Sequence, residues 1–130
     1  MITVQAMAFE DLALLRGLDA LSDAELDHLD FGVIGFDDEG IVRRYNAYES
    51  QAAGLSTSRV VGHALFTVVA PCMNNYLVAQ RFDDAAAQGS ELDATIDYVL
   101  TLRMRPVKVR LRLLAAPGSA GQYVLVQRSI

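Results

Sequence analysis

The sequence predicts an α+β domain built on a five-stranded antiparallel sheet with flanking helices and an N-terminal helical cap. Three observations carry that expectation. Apolar and polar residues alternate with period two from Thr95 to Met104 and again from Val107 to Leu113, around a turn near Pro106. Two short apolar runs in "FGVIGFDDEGIVRRYN" flank an acidic turn. The remaining stretches carry helix caps and breakers instead of strand alternation.

The elements follow in order. The first thirty residues read as helical and amphipathic. Within them "LSDAELDHL" holds a capping box, Ser22 at the cap and Glu25 three residues later, with Leu21 and Leu26 spaced as a hydrophobic staple. Asp37-Asp38-Glu39-Gly40 closes a β-hairpin between the next two strands. Asn46, just past the second strand, is placed to hold the chain through side-chain bonds to backbone. Residues 46–75 read as short helical pieces broken by Gly54, Gly62 and Pro71. A longer helix, "YLVAQRFDDAAAQ", is expected with Asn75 as its cap and Gly89 as its terminator.

In the last third, Ile96, Tyr98, Leu100, Leu102 and Met104 share one strand face, and Val107, Val109, Leu111 and Leu113 share the next. The loop "AAPGSAG" leads to a final strand, "QYVLVQR". A sheet of these five strands would bury one face against the middle helices and the other against the N-terminal segment, the arrangement of a PAS-like domain. The organisation expected is one domain over residues 1–130, with a cap over 1–28 and a core over 29–130.

Composition narrows the function. With 52% hydrophobic residues and a net charge of −5, the chain is globular in character, and its acidic balance argues against nucleic-acid binding. The longest uncharged apolar run, 60–76, is interrupted by His63, Pro71 and two asparagines, so no membrane span is expected. No basic leader precedes the acids at Glu10 and Asp11, and a single cysteine makes no intrachain disulfide; a cytoplasmic protein is expected. Arg103, Arg105, Lys108, Arg110 and Arg112 cluster within ten positions. They read first as a solvated strand face and second as a docking surface for an acidic partner.

The one cysteine, Cys72, lies in "VAPCMNN". That run, together with Y-N-A-x-E at Tyr45 to Glu49, "DFGVIGFDDEGIVRRYNAYES" and "YVLTLRMRPVKVRL", resembles the photoactive yellow protein family from about Leu26 to Arg128. The resemblance implies a blue-light photoreceptor of PAS type carrying p-coumaric acid (4-hydroxycinnamic acid) as a thioester on Cys72. It implies that Tyr45 and Glu49 donate hydrogen bonds to the chromophore's phenolate, with Glu49 protonated by burial beside a negative charge. Signalling would run through trans–cis isomerisation, proton transfer from Glu49 and loosening of the N-terminal cap. Pro71, Ala53 and Leu55 would line the pocket, and Met104 matches a methionine that hastens the family's return to the dark state. Met104 also fits the inward face of its strand.

The sequence departs from the family's pattern where a threonine supporting the tyrosine hydroxyl becomes Ala53 and an arginine at the pocket mouth becomes Leu55. Leu65, Ile96, Leu100 and Leu102 replace aromatics, and Tyr48 adds one beside Glu49. These changes keep open a light-independent PAS-type ligand-binding or protein-interaction module lacking the chromophore. A cysteine hydrolase built on Cys72 and His63 lacks a third group to orient the histidine, so no enzyme is expected. His28 and His63 lie too far apart in sequence to suggest a metal site with Cys72. The signal would pass to a downstream signalling protein that the sequence does not name, from a monomer or weak dimer.

Overall fold

The computed structural model describes residues 8–101 and 106–128. Its five strands are β1 (Gly32–Phe36), β2 (Val42–Tyr45), β3 (Leu92–Leu100), β4 (Val107–Ala115) and β5 (Gln122–Arg128). All neighbours pair antiparallel, in the order β2-β1-β5-β4-β3. The last strand therefore inserts beside the first, with Ile34 opposite Val124 and Gly32 opposite Val126. Helices α1 (Leu14–Ala20) and α2 (Asp23–Leu26) precede the sheet, and α3 (Ala47–Ala53), α4 (Thr57–Val60) and α5 (Ala79–Gln88) lie between β2 and β3.

Period-two patterning splits the sheet's side chains between two cores. One face carries Ile34, Phe36, Val42, Tyr45, Leu111, Leu113, Val124 and Val126, and packs against Val60, Leu65, Met73, Val78 and Phe82 of the middle segment. The other carries Val33, Leu114, Tyr123 and Leu125, and packs against Phe9, Leu14, Leu18 and Leu26 of the cap and against Leu29 just after it. Burial on both faces explains why every residue of β1 is buried, whereas edge strand β3 alternates half-buried and exposed positions up to Leu100.

Local signals explain the boundaries. The capping box forms as expected: Ser22 Oγ accepts from the Glu25 amide at 3.1 Å, and Glu25 Oε1 accepts from the Ser22 amide at 2.9 Å. Gly89 ends α5 in the left-handed region, at φ 63°. Helix α5 begins at Ala79, later than its sequence predicts, because Asn75 caps a turn ahead of it. Asn75 Oδ1 accepts from the amides of Leu77 and Val78, and the helix starts only after that turn. Strand β3 starts at Leu92, three residues before the expected Thr95, since Leu92 and Ala94 pair with Ala115 and Leu113. Leu102, Arg103, Met104 and Arg105 lie outside the described residues.

The expected solvated basic face fails at Arg112. Its side chain is 6% exposed and forms a two-pronged pair with Asp93, both bonds at 2.9 Å. One nitrogen also donates to the carbonyls of Phe9 at 2.8 Å and Asp11 at 2.7 Å. Period two places Arg112 on the face opposite Leu111, and that face is covered by the cap instead of water. Arg44 makes a second anchor, donating to the carbonyls of Leu18 and Leu21, to Asp23 and to the Tyr123 hydroxyl. Tyr123 in turn donates to Asp19 at 2.8 Å. Burial, with the Asp19 bond, pushes its phenol up to about 12, so it remains a donor throughout the neutral range.

Among the described residues, no helix is long and apolar enough to cross a membrane. The Arg112 contacts generate a direct test of the cap. Arg112→Met keeps the apolar stem but strands two cap carbonyls and Asp93. Because Asp93 is half exposed, the expected cost is about 1–3 kcal/mol, below the ~3–5 kcal/mol of a fully buried pair. Urea denaturation should show that loss, and limited proteolysis should cleave residues 8–20 faster than in the wild type. Unchanged cleavage would mean that the apolar contacts alone hold the cap.

Candidate functional site

The site lies on the sheet face opposite the cap, where β2 ends and α3 begins. Tyr45 is the last residue of β2 and is buried against the core. Asn46 then caps α3, its Oδ1 accepting from the Glu49 amide at 3.2 Å. This cap sets the first turn of the helix so that Glu49 points inward, with only 1% of the residue exposed. The same Oδ1 accepts from the Val33 amide at 2.9 Å, and Nδ2 donates to the carbonyls of Leu26 and Phe31 at 3.0 Å each. The structural role expected of Asn46 is thus met four times over.

Glu49 is held by two groups that the sequence reading passed over. Arg128, at the end of β5, donates to both carboxylate oxygens, at 2.7 and 3.0 Å. Gly32 in β1 provides the floor. A Cβ there would lie 2.0 Å from Glu49 Oε1 and 3.0 Å from its Cδ, so only glycine leaves room for the carboxylate. Burial pushes the Glu49 carboxyl above the usual carboxylate range, while the bonds and charge of Arg128 act in the opposite direction. Burial, followed by the Glu49 charge, raises the Tyr45 phenol well above an ordinary tyrosine, so Tyr45 is a hydrogen-bond donor across the physiological range.

Cys72 is half-buried at the centre of a short 3₁₀ turn, Pro71–Met73, and packs against the same core as Tyr45. Its backbone is clasped from β3. The Tyr98 hydroxyl donates to the Cys72 carbonyl at 2.6 Å, and Asn75 Nδ2 donates to that carbonyl at 3.2 Å and to the Tyr98 oxygen at 2.6 Å. Asn75 thus serves two turns at once, which its expected role as a simple helix cap did not anticipate. Tyr98 was legible only as an inward strand position.

Other expected site residues separate. Leu55 packs, half-buried, against the core containing Tyr45 and Cys72, and Ala53 is buried at the end of α3. Pro71, expected to line the pocket, is exposed; it opens the turn that presents Cys72 instead of facing the core. Met104 lies outside the described residues. His28 and His63 are both exposed, and among the described residues no group of three or more His, Cys, Asp or Glu side chains could hold a metal ion.

The described residues offer a half-accessible thiol packed on the core that holds Tyr45, a phenol that keeps its proton, and near Tyr45 a buried carboxyl paired with one guanidinium. Known proteins resemble this chain in sequence and fold. The family model described as PAS fold matches residues 26–130. The photoactive yellow protein of Rhodothalassium salexigens is 33% identical over 83% of this chain and 86% of its own. That of Halochromatium salexigens is also 33% identical, over 87% of this chain and 90% of its own. Among solved structures, the photoactive yellow protein domain of the sensor histidine kinase Ppr from Rhodospirillum centenum superposes with a TM-score of 0.79. It is 36% identical, covering 88% of this chain and 99% of that one.

The close approach at Gly32 yields a specific expectation. Gly32→Ala should drive the Glu49 carboxylate off its floor and cost about 1–3 kcal/mol, the usual range for overpacking a filled core. In denaturant titrations, adding Arg128→Gln should then cost less in the Gly32→Ala background than in the wild type, because the bidentate pair is already disturbed. Additive losses would show that Glu49 relaxes around the new methyl without leaving Arg128.

Proposed function

This chain belongs to the photoactive yellow protein family of PAS-fold domains, and from that premise we propose that it is a blue-light photoreceptor holding p-coumaric acid as a thioester on Cys72. The observation that carries the reading is that Tyr45, buried in the core against which the chain's one cysteine packs, lies close enough to the buried Glu49 carboxyl to feel its charge.

The donor set suits a buried phenolic group. The raised Tyr45 phenol keeps its proton and donates, and burial favours the protonated form of the Glu49 carboxyl, which would then donate as well. Gly32 leaves room for the Glu49 carboxylate itself, which a Cβ there would displace. When bound, the p-coumaroyl group supplies visible absorption and a double bond that isomerises on excitation. Cys72 Sγ tethers the group, and the Tyr98–Asn75 clasp fixes the turn from which the sulfur projects. Glu49 would hold a proton at a carboxyl oxygen and give it to the phenolate oxygen across their hydrogen bond.

A newly ionised Glu49 alters the charge beneath α3, and Asn46 links that helix to the Leu26 carbonyl of the cap. The cap is therefore the proposed output element, acting on a separate signalling protein. The reading assigns the chain no catalytic turnover, and its single cysteine suits the cytoplasm.

The test is incubation with p-coumaric anhydride, beside a Cys72→Ala control. The thiol sulfur bonds to one carbonyl carbon, p-coumarate leaves, and the thiol proton goes to solvent. The wild type should gain one p-coumaroyl mass at Cys72 and a visible band that bleaches in blue light and recovers in the dark; the control should do neither. A mass gain with only a short-wavelength band would mean attachment with a protonated phenol. Neither mass gain nor band, in a folded protein, would overturn the proposal and leave a light-independent PAS module.

A further inference from the structure

Arg128 stands at the last position of β5, and its guanidinium closes on Glu49 with two parallel bonds, at 2.7 and 3.0 Å. The arginine side chain is 17% exposed and the carboxylate 2%, so the pair is largely withdrawn from water. The same guanidinium acts electrostatically on Tyr45, the neighbouring donor, and on Tyr48. Among the described residues, Tyr45, Tyr48, Glu49 and Arg128 are the titratable groups coupled at this centre. Position 55, beside the same core, carries an uncharged leucine.

The charge count is restrictive. One guanidinium with one carboxylate is neutral. A phenolate bound beside Tyr45 would bring two anions against one cation in a desolvated site, which such sites avoid by protonating one of them. Arginine stays charged at any accessible pH, so the proton must go to an anion. Glu49 is the more deeply buried partner, and its carboxyl is already pushed up by desolvation.

We propose that Arg128 is the shared counter-charge of this site, neutralising the Glu49 carboxylate when no anionic ligand is bound and the ligand's phenolate when one is. The inference rests on the photoreceptor reading above. With the phenolate in place, Glu49 is neutral and donates. When the proton leaves the Glu49 carboxyl oxygen for the phenolate oxygen, no proton is gained or lost overall, and the fork regains the carboxylate in the geometry seen here. Arg128 is thus a positioning and charge-compensating residue that stabilises the anion at each end of the proton transfer.

The test uses Arg128→Gln and Arg128→Lys, each checked for folding by circular dichroism; the lysine variant keeps the charge and guards against a misfolded glutamine variant. In unloaded protein, carbon-13 NMR follows the Glu49 carboxyl. Arg128→Gln should raise its titration midpoint by at least one pH unit, a tenfold gain in proton affinity. In protein loaded with p-coumaric anhydride, the visible band is titrated with pH. Its midpoint should rise at least tenfold in proton affinity in Arg128→Gln and by less in Arg128→Lys, with equal mass gain at Cys72 in all three proteins. A wild-type phenol midpoint in fully loaded Arg128→Gln would overturn the proposal, whatever Glu49 does. No mass gain in the wild type would instead sink the photoreceptor reading. An unchanged Glu49 midpoint in the unloaded variant would overturn the counter-charge role by itself.

Discussion

Asn46 is the constraint on which the rest of this structure depends. A buried amide left unpaired costs about 1–3 kcal/mol for each group, so a 1%-exposed asparagine must satisfy its carbonyl and both amide protons inside the protein. It does so by binding four backbone groups: Val33 in β1, Glu49 in α3, Phe31 ahead of the sheet and Leu26 in the cap. Those four groups belong to two stretches of chain, residues 26–33 and the first turn of α3, which this one side chain joins. The side chain that places Glu49 therefore also ties the cap to the sheet. One side chain is thus bonded to both the Glu49 amide and the Leu26 carbonyl.

The two cores divide the labour that follows. On one face, apolar packing surrounds a small polar centre, where Glu49 lies on the only side chain that fits beneath it, the hydrogen of Gly32, and answers to Arg128. On the other, Arg44 and Arg112 fasten the cap mainly by donating to its carbonyls, bonds that a segment with few helical turns otherwise leaves unmade. Arginine suits both places because its planar fork satisfies several acceptors with one charge that is never lost. The cap is thus attached by a small number of polar contacts over a modest apolar core.

What the sequence made legible was local. The capping box at Ser22 and Glu25, the hairpin around Asp37 to Gly40 and the final strand depend on neighbours within a few positions, and all form as read. Tyr45, Glu49 and Cys72 were singled out by the resemblance of their motifs to the family, and one cap and one turn set where they lie. The residues missed were those whose role depends on strand order. Nothing near Gly32 or Arg128 in sequence says that β5 inserts beside β1 and brings both to Glu49. Arg112 sat correctly on its strand face, but period two cannot say whether that face meets water or the cap. Asn75 was read as a cap correctly in kind, and the helix it was assigned begins later because its carbonyl serves the preceding turn.

The central claim is that a buried carboxyl at Glu49 changes its proton with the state of the site. The most direct measurement is a light-minus-dark infrared difference spectrum of the loaded protein, compared with Glu49→Gln. The account predicts the carbonyl stretch of one protonated carboxyl in the dark, lost on illumination as a carboxylate signal appears, and neither change in the variant. A loaded, photoactive wild type whose carboxyl region stays silent, or whose signal survives in Glu49→Gln, would contradict it.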